Sequence, residues 1–223
     1  YLKYLFIVIP GSIAGEYLQE WLYSKNTVTI NDNKDEHKRI PWILLLTIGL
    51  IVLNLYGLYM RYLLLNLAGT IAILCILYIL LQVEGKNTGY WYKLFKAGTY
   101  LILLGLAFEA YEGGIRKDPS TYSYYFLASG LAFMAMIAFS IMCDIYSWTR
   151  LTRPLEYAGQ NPMIAYVSTQ LVVLPLLNLA GLGTYLSYLD QNAWLGFLRG
   201  VIVTSLALLI TILFTKLKCF WRT

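Results

Sequence analysis

Six stretches of this 223-residue chain are each long and apolar enough to cross a bilayer, and short polar connections join them. They run from Pro41 to Met60, Tyr62 to Val83, Leu94 to Ala110, Tyr122 to Tyr146, Pro162 to Leu179 and Ala193 to Leu217, against the roughly 17 to 25 residues that a spanning helix needs. Lipid is therefore the solvent against which every other residue is read. A soluble chain of this length, 59% hydrophobic and only 13% charged, would leave too much apolar area in water for a buried core to absorb. The expected fold is all-α, a polytopic transmembrane helical bundle with six full spans plus the end of a seventh, forming a single membrane domain over residues 1–223.

The seventh crossing is read from the first residues. Tyr1 to Pro10 is apolar, lacks an initiator Met, and meets Pro10-Gly11 before it is long enough to span. It reads as the tail of a crossing that ends near Trp21, which would make the chain the C-terminal part of a larger membrane protein. The competing reading is a signal peptide with Lys3 as its charged region and Leu5 to Ile9 as its core, and that core is too short.

Laid alternately across the bilayer, the spans put Lys25, Lys34, Lys38, Arg39, Lys86, Lys93, Lys96, Arg150, Arg153, Lys216, Lys218 and Arg222 on one face. Lys3, Arg61, Arg116, Lys117 and Arg199 fall on the other, so the seventeen Lys and Arg divide twelve to five. By the positive-inside bias the twelve-residue face, with the C-terminus, is cytoplasmic. The net charge of +5 then needs no nucleic acid as partner, because basic residues at span ends meet anionic headgroups.

Cys75 and Cys143 within spans, and Cys219 after the last, show no C-x-x-C spacing and read as small apolar fillers. The single histidine, His37, lies in the polar segment Lys25 to Arg39 with Asp32, Asp35 and Glu36, and reads as a solvated loop side chain. No metal site is expected. The outer stretch Leu182 to Asn192, with Tyr185 and Tyr188, reads as an aromatic segment lying along the interface.

Function is sought in the polar groups that a bilayer excludes. In Leu155-Glu156-Tyr157-Ala158-Gly159-Gln160-Asn161-Pro162, Asn161 stands where a helix N-cap would be and Pro162 at the first helical position. That helix end, with Arg150 and Arg153 nearby in sequence, would attract phosphate or carboxylate; the plainer alternative is a cap that only starts a helix. A second constellation comprises Glu109, Glu112, Arg116, Lys117 and Asp118, followed by Pro119-Ser120-Thr121. Glu109 ends a hydrophobic run, where desolvation would raise its pKa toward general acid–base use; a structural salt-bridge cluster is the alternative. Asn54, Asn66, Gln170 and Asn178 lie in or at the ends of spans, where their amides would bond neighbouring helices.

The order Lys117-Asp118-Pro119-Ser120-Thr121-Tyr122-Ser123, then Gly130-Leu131-Ala132, Asp144, and Gly159-Gln160-Asn161-Pro162 with Tyr166, resembles the C-terminal half of the heparan-alpha-glucosaminide N-acetyltransferase-like family. Ile9-Pro10-Gly11 is similar to that family's sugar-acetylating bacterial branch. The resemblance implies a transmembrane acyltransferase of a bacterial inner membrane that takes acetyl from cytoplasmic acetyl-CoA and places it on an amino sugar. Asn161, Pro162, Arg150 and Arg153 would then serve the CoA phosphates, Glu112, Arg116, Ser120 and Thr121 the sugar side, and Glu109 is the candidate acid–base. The family's catalytic histidine belongs to its N-terminal half, and His37 has no matching context, so the base would come from a missing N-terminal part or a partner chain. Two other functions remain open, an inner-membrane amino-sugar transporter with Asn54, Asn66, Gln170 and Glu109 along a polar path, and a non-catalytic membrane scaffold.

Overall fold

The computed structural model describes residues 2–25, 34–82, 88–116, 119–189 and 193–221. Asp32, Lys86, Lys117, Asp118 and Arg222 lie outside the described residues, as do the side chains of Lys25, Lys34, Asp35, Glu36, His37 and Arg150. The fold is all-α. Its helices are α1 (Leu5–Lys25), α2 (Lys34–Tyr59), α3 (Leu63–Leu81), α4 (Thr88–Glu112), α5 (Tyr122–Ser140), α6 (Thr149–Gln160), α7 (Pro162–Ser168), α8 (Leu174–Leu179), α9 (Gly183–Tyr188) and α10 (Ala193–Lys216), with no strand among the described residues. Among the described residues six segments are long and apolar enough to cross a membrane: Lys38–Tyr59, Leu63–Leu81, Gly89–Glu112, Tyr122–Ile145, Pro162–Leu179 and Leu195–Lys216. The third is longer at both ends than the stretch Leu94 to Ala110 read from sequence. Where the sequence reads as one domain, the helices gather into two compact units, Tyr1–Tyr146 and Ser147–Thr223.

In the first unit α4 and α5 form the densest helix pair, with α1, α2 and α3 packed around them. The pair closes on glycines. A Cβ on Gly105 would stand 2.8 Å from the backbone nitrogen of Leu127, and one on Gly130 would stand 2.8 Å from that of Ile102 and 3.0 Å from the carbonyl oxygen of Gly98. Hydrocarbon gives helices no hydrophobic reason to associate, so dispersion between closely approaching backbones has to hold them. Around the glycines Leu94, Phe95, Ile102, Phe133, Met134 and Ile137 are buried and fill the seam.

The sequence reading broke the first apolar run at Pro10-Gly11, and this is corrected: α1 continues through both, from Leu5 to Lys25. A proline inside a helix has no N–H for the carbonyl four residues back, and an orphaned carbonyl costs several kcal/mol in lipid. Here the hydroxyl of Ser129 on α5 donates to that carbonyl, Phe6 O, at 3.3 Å. Further along α1, Trp21 stacks on Tyr90 at 5.2 Å between centroids and Lys93 pairs with Glu20 at 2.6 Å.

Helices α2 and α3 are joined by amides. Asn54 Nδ2 donates to Leu50 O and to Thr70 Oγ1, each at 3.0 Å, and Asn66 Nδ2 donates to Asn54 Oδ1 at 3.2 Å. Asn54, Asn66 and Thr70 are all buried, so the expected role as helix glue holds for these two asparagines; Gln170 and Asn178, by contrast, are exposed. Asn54→Leu is expected to destabilise the unit by about 1–2 kcal/mol, with an Asn54/Asn66 coupling of about 0.6 kcal/mol in a double-mutant cycle, the scale of amide bonds between membrane helices. Reversible unfolding in mixed micelles measures both; zero coupling would show that the pair does not interact.

Helix α5 runs on into a π-helical turn, Ile141–Ile145, closed by Tyr146 N–H on Ile141 O at 3.2 Å. There Trp91 Nε1 donates to Ser140 Oγ and Ser140 Oγ to Asp144 Oδ2, each at 3.0 Å, which satisfies a fully buried indole.

In the second unit α6 is strongly two-faced, and α10 packs on α6 and α7. The span Pro162–Leu179 is not one regular helix. A π-helical turn, Thr169–Val173, separates α7 from α8 just ahead of Pro175, which has no N–H for the carbonyl four residues back. Thr211 and Thr215 return their hydroxyls to carbonyls of their own helix, at 2.8 Å each. The tyrosines expected along the interface, Tyr185 and Tyr188, are 70% and 65% exposed on α9. None of the three cysteines is buried: Cys75 and Cys219 are exposed and Cys143 is half-buried.

Candidate functional site

The end of α4 and the turn between α2 and α3 build a cavity in the first unit that is lined by charged as well as apolar residues. Helix α4 stops at Gly113, whose φ of +67° is the left-handed conformation glycine adopts without strain, and whose N–H closes on Glu109 O at 3.1 Å. Glu109 therefore sits one turn from a helix C-terminus, where the partial negative charge of the helix end disfavours a carboxylate. It is only 4% exposed. Such a group requires a cation.

The cation comes from the α2–α3 turn. Arg61 N–H closes on Leu58 O at 3.2 Å and Tyr62 N–H on Gly57 O at 2.9 Å, a paired C-terminal closure that places Arg61 at the left-handed position, φ +58°. Glycine is the usual occupant there, and a non-glycine residue costs on the order of 1 kcal/mol. Arginine at this position carries its guanidinium toward α4: Nη2 lies 3.9 Å from Glu109 Oε1 and donates to Gly113 O at 2.7 Å. Among the described residues the Glu109 carboxylate accepts no hydrogen bond. Its carboxylate instead lines a cavity of ≈ 520 Å³, together with Asn54, Arg61, Arg116, Tyr124 and an apolar wall of Leu58, Leu127 and Leu131.

The residues expected on the sugar side divide by task. Glu112 accepts from the N–H groups of Tyr122 and Ser123, both at 2.9 Å, and so caps α5. Thr121 Oγ1 accepts from Arg116 N–H at 3.2 Å and from Ser123 Oγ at 3.1 Å, and donates to Arg116 O at 3.3 Å. Ser120 O accepts from Lys3 Nζ at 3.2 Å. These bonds shape the loop, and they leave the Arg116 side chain, exposed and lining the cavity, as the loop's contribution to it. Arg61 was missed by sequence reading because a short turn between spans looks like a solvated corner. The available signal was a charged residue where the helix end calls for glycine.

In the second unit Asn161 directly precedes α7 and Pro162 is its first residue, as the sequence indicated. The side chain, however, does not cap. Asn161 is 1% exposed, its Nδ2 donates to Cys219 O at 2.9 Å, and its Oδ1 accepts from Trp221 N–H at 3.3 Å. The amide thus ties the chain after α10 to the start of α7, and both of its ends are spent on backbone. Arg153 is exposed on α6; the Arg150 side chain lies outside the described residues. Among the described residues no group of three His, Cys, Asp or Glu side chains is placed to hold a metal ion.

No protein-family model, curated protein or solved structure matches this chain.

Proposed function

We propose that the chain is part of an integral membrane acyltransferase that moves acetyl from cytoplasmic acetyl-CoA to the amine of an amino sugar, with the Glu109 cavity as the acceptor seat. What carries this reading is a carboxylate that is 4% exposed, accepts no hydrogen bond from the described residues and borders a cavity large enough for a monosaccharide. An amine entering there donates to Glu109 Oε and so supplies a hydrogen bond that the described residues do not give the carboxylate. As the nitrogen attacks the thioester carbonyl, the C–N bond forms, the C–S bond breaks with CoA leaving as thiolate, and Glu109 takes the proton the amine loses and passes it on to the thiolate sulfur. Arg61, strapped to Gly113 O, holds the carboxylate in place and balances its charge before and after the amine is present. The resemblance to the heparan-alpha-glucosaminide N-acetyltransferase-like family supports the same chemistry.

With the Asn161 amide committed to Cys219 and Trp221, Arg153, with Arg150, is the contribution of α6 to the CoA phosphates, and the face rich in Lys and Arg is the cytoplasmic one. Reconstituted protein given acetyl-labelled CoA and glucosamine should yield labelled N-acetylglucosamine. Acetyl-CoA should also raise the thermal midpoint, and Arg153→Ala should reduce that rise. Uptake of labelled glucosamine into sealed vesicles with no acetyl-CoA and no transfer would replace the enzyme by a transporter.

A further inference from the structure

Glu109 explains why an amine would enter the cavity, but it does not explain the second guanidinium at its mouth. Among the described residues that line it, the cavity holds one carboxylate, Glu109, against two guanidinium groups, Arg61 and Arg116, which leaves one formal positive charge when the amine is uncharged and two when an ammonium enters. Arg61 donates one hydrogen bond, to Gly113 O, and Arg116 forms no side-chain hydrogen bond or ion pair among the described residues. Arginine's planar fork favours phosphate over a neutral hydroxyl. Leu58, Leu127 and Leu131 give the cavity an apolar wall, and Asn54, Tyr59 and Tyr124 are the uncharged polar residues that line it.

We propose that the ligand of this cavity carries a phosphate ester as well as an amine, the amine on Glu109 and the phosphate between Arg61 and Arg116. The inference rests on the reading of the cavity as the acceptor seat and narrows its substrate class to amino-phosphate compounds. Two sources supply that chemistry, a soluble amino-sugar phosphate and the headgroup of an aminophospholipid whose chains lie along the leucines. The two guanidinium groups supply the negative-charge recognition that a neutral amino sugar leaves unused. A phosphate there also offsets the positive charge of the two arginines that line the cavity.

The chain in phosphatidylcholine nanodiscs tests this by thermal-midpoint titration with glucosamine 6-phosphate, glucosamine and glucose 6-phosphate. The expected result is half-saturation by glucosamine 6-phosphate at a concentration at least about tenfold below that of either partial ligand, the gain typical of a charge-assisted contact. Arg116→Gln should remove the preference for the phosphate and Arg116→Lys should retain part of it. Arg116 is exposed on a loop, and an unliganded midpoint equal to that of the wild type confirms the fold of each variant. Equal half-saturation by glucosamine and its phosphate, or an undiminished preference in Arg116→Gln, overturns the inference. Phosphatidylethanolamine in the nanodisc that displaces glucosamine 6-phosphate assigns the chemistry to a lipid headgroup, and failure to displace it assigns a soluble ester. Phosphate-selective binding without acetyl transfer would sustain this inference while removing the acyltransferase; transfer to glucosamine with no phosphate preference would do the reverse.

Discussion

Gly130→Leu is expected to destabilise the first unit by about 3 kcal/mol or more, the upper range for an overpacked interior. The first side-chain atom alone decides the sign. A Cβ on Gly130 would stand 2.7 Å from Ile102 Cγ1, 2.8 Å from the Ile102 nitrogen and 3.0 Å from Gly98 O. Ile102 Cγ1 can turn away, but the other two atoms are backbone, so α4 itself has to retreat from α5. Retreat opens the seam filled by Phe133, Met134 and Ile137, where each dispersion contact is short-ranged and collectively large. Gly15→Ala is the matched control. A Cβ at Gly15 on α1 meets nothing within 4 Å, and its effect should stay within about 0.5 kcal/mol. Reversible unfolding followed by tryptophan fluorescence compares the two; equal midpoints would mean that α4 and α5 do not approach as described.

Glu109→Gln is expected to lower the rate of acetyl transfer by about 10²- to 10⁴-fold, the usual worth of a positioned general base. The amide keeps the shape of the side chain and can still accept a hydrogen bond from an amine, but it takes no proton. Its removal of a buried charge leaves Arg61 without its partner; because Arg61 is 59% exposed, water solvates the guanidinium and the stability of the unit should hardly change. A loss of rate with a preserved midpoint therefore separates chemistry from folding. If KM rises while kcat is kept, Glu109 binds the acceptor and does not take its proton. An unchanged rate would take Glu109 out of the reaction altogether.

The spans were legible because hydropathy is a local property: the stretch Pro162 to Leu179 is bounded in the structure as in the sequence. Glu109 was legible for a similar reason, as a carboxylate closing an apolar run. What could not be read depends on partners remote in the chain. The helix passes through Pro10 because a hydroxyl at Ser129 receives the carbonyl of Phe6. The Asn161 amide leaves its own helix because Cys219 and Trp221 reach it. Arg61 belongs to the site only through a strained turn, and local rules assign that position to glycine. The division at Tyr146 and Ser147 leaves no trace in composition, since apolar spans lie on both sides of it.

The bond between Ser129 and Phe6 also bears on how α1 is seated. Two apolar helices in hydrocarbon can slide along each other by a turn with little change in contact energy, because one leucine face fits much like the next. A carbonyl released at a single point, met by a hydroxyl at a single point, has no equivalent one turn higher or lower. Proline 10 thereby works as a vernier mark: it sets the depth of α1 against α5, and with it the level at which Lys3 reaches Ser120 at the rim of the loop that ends in Thr121.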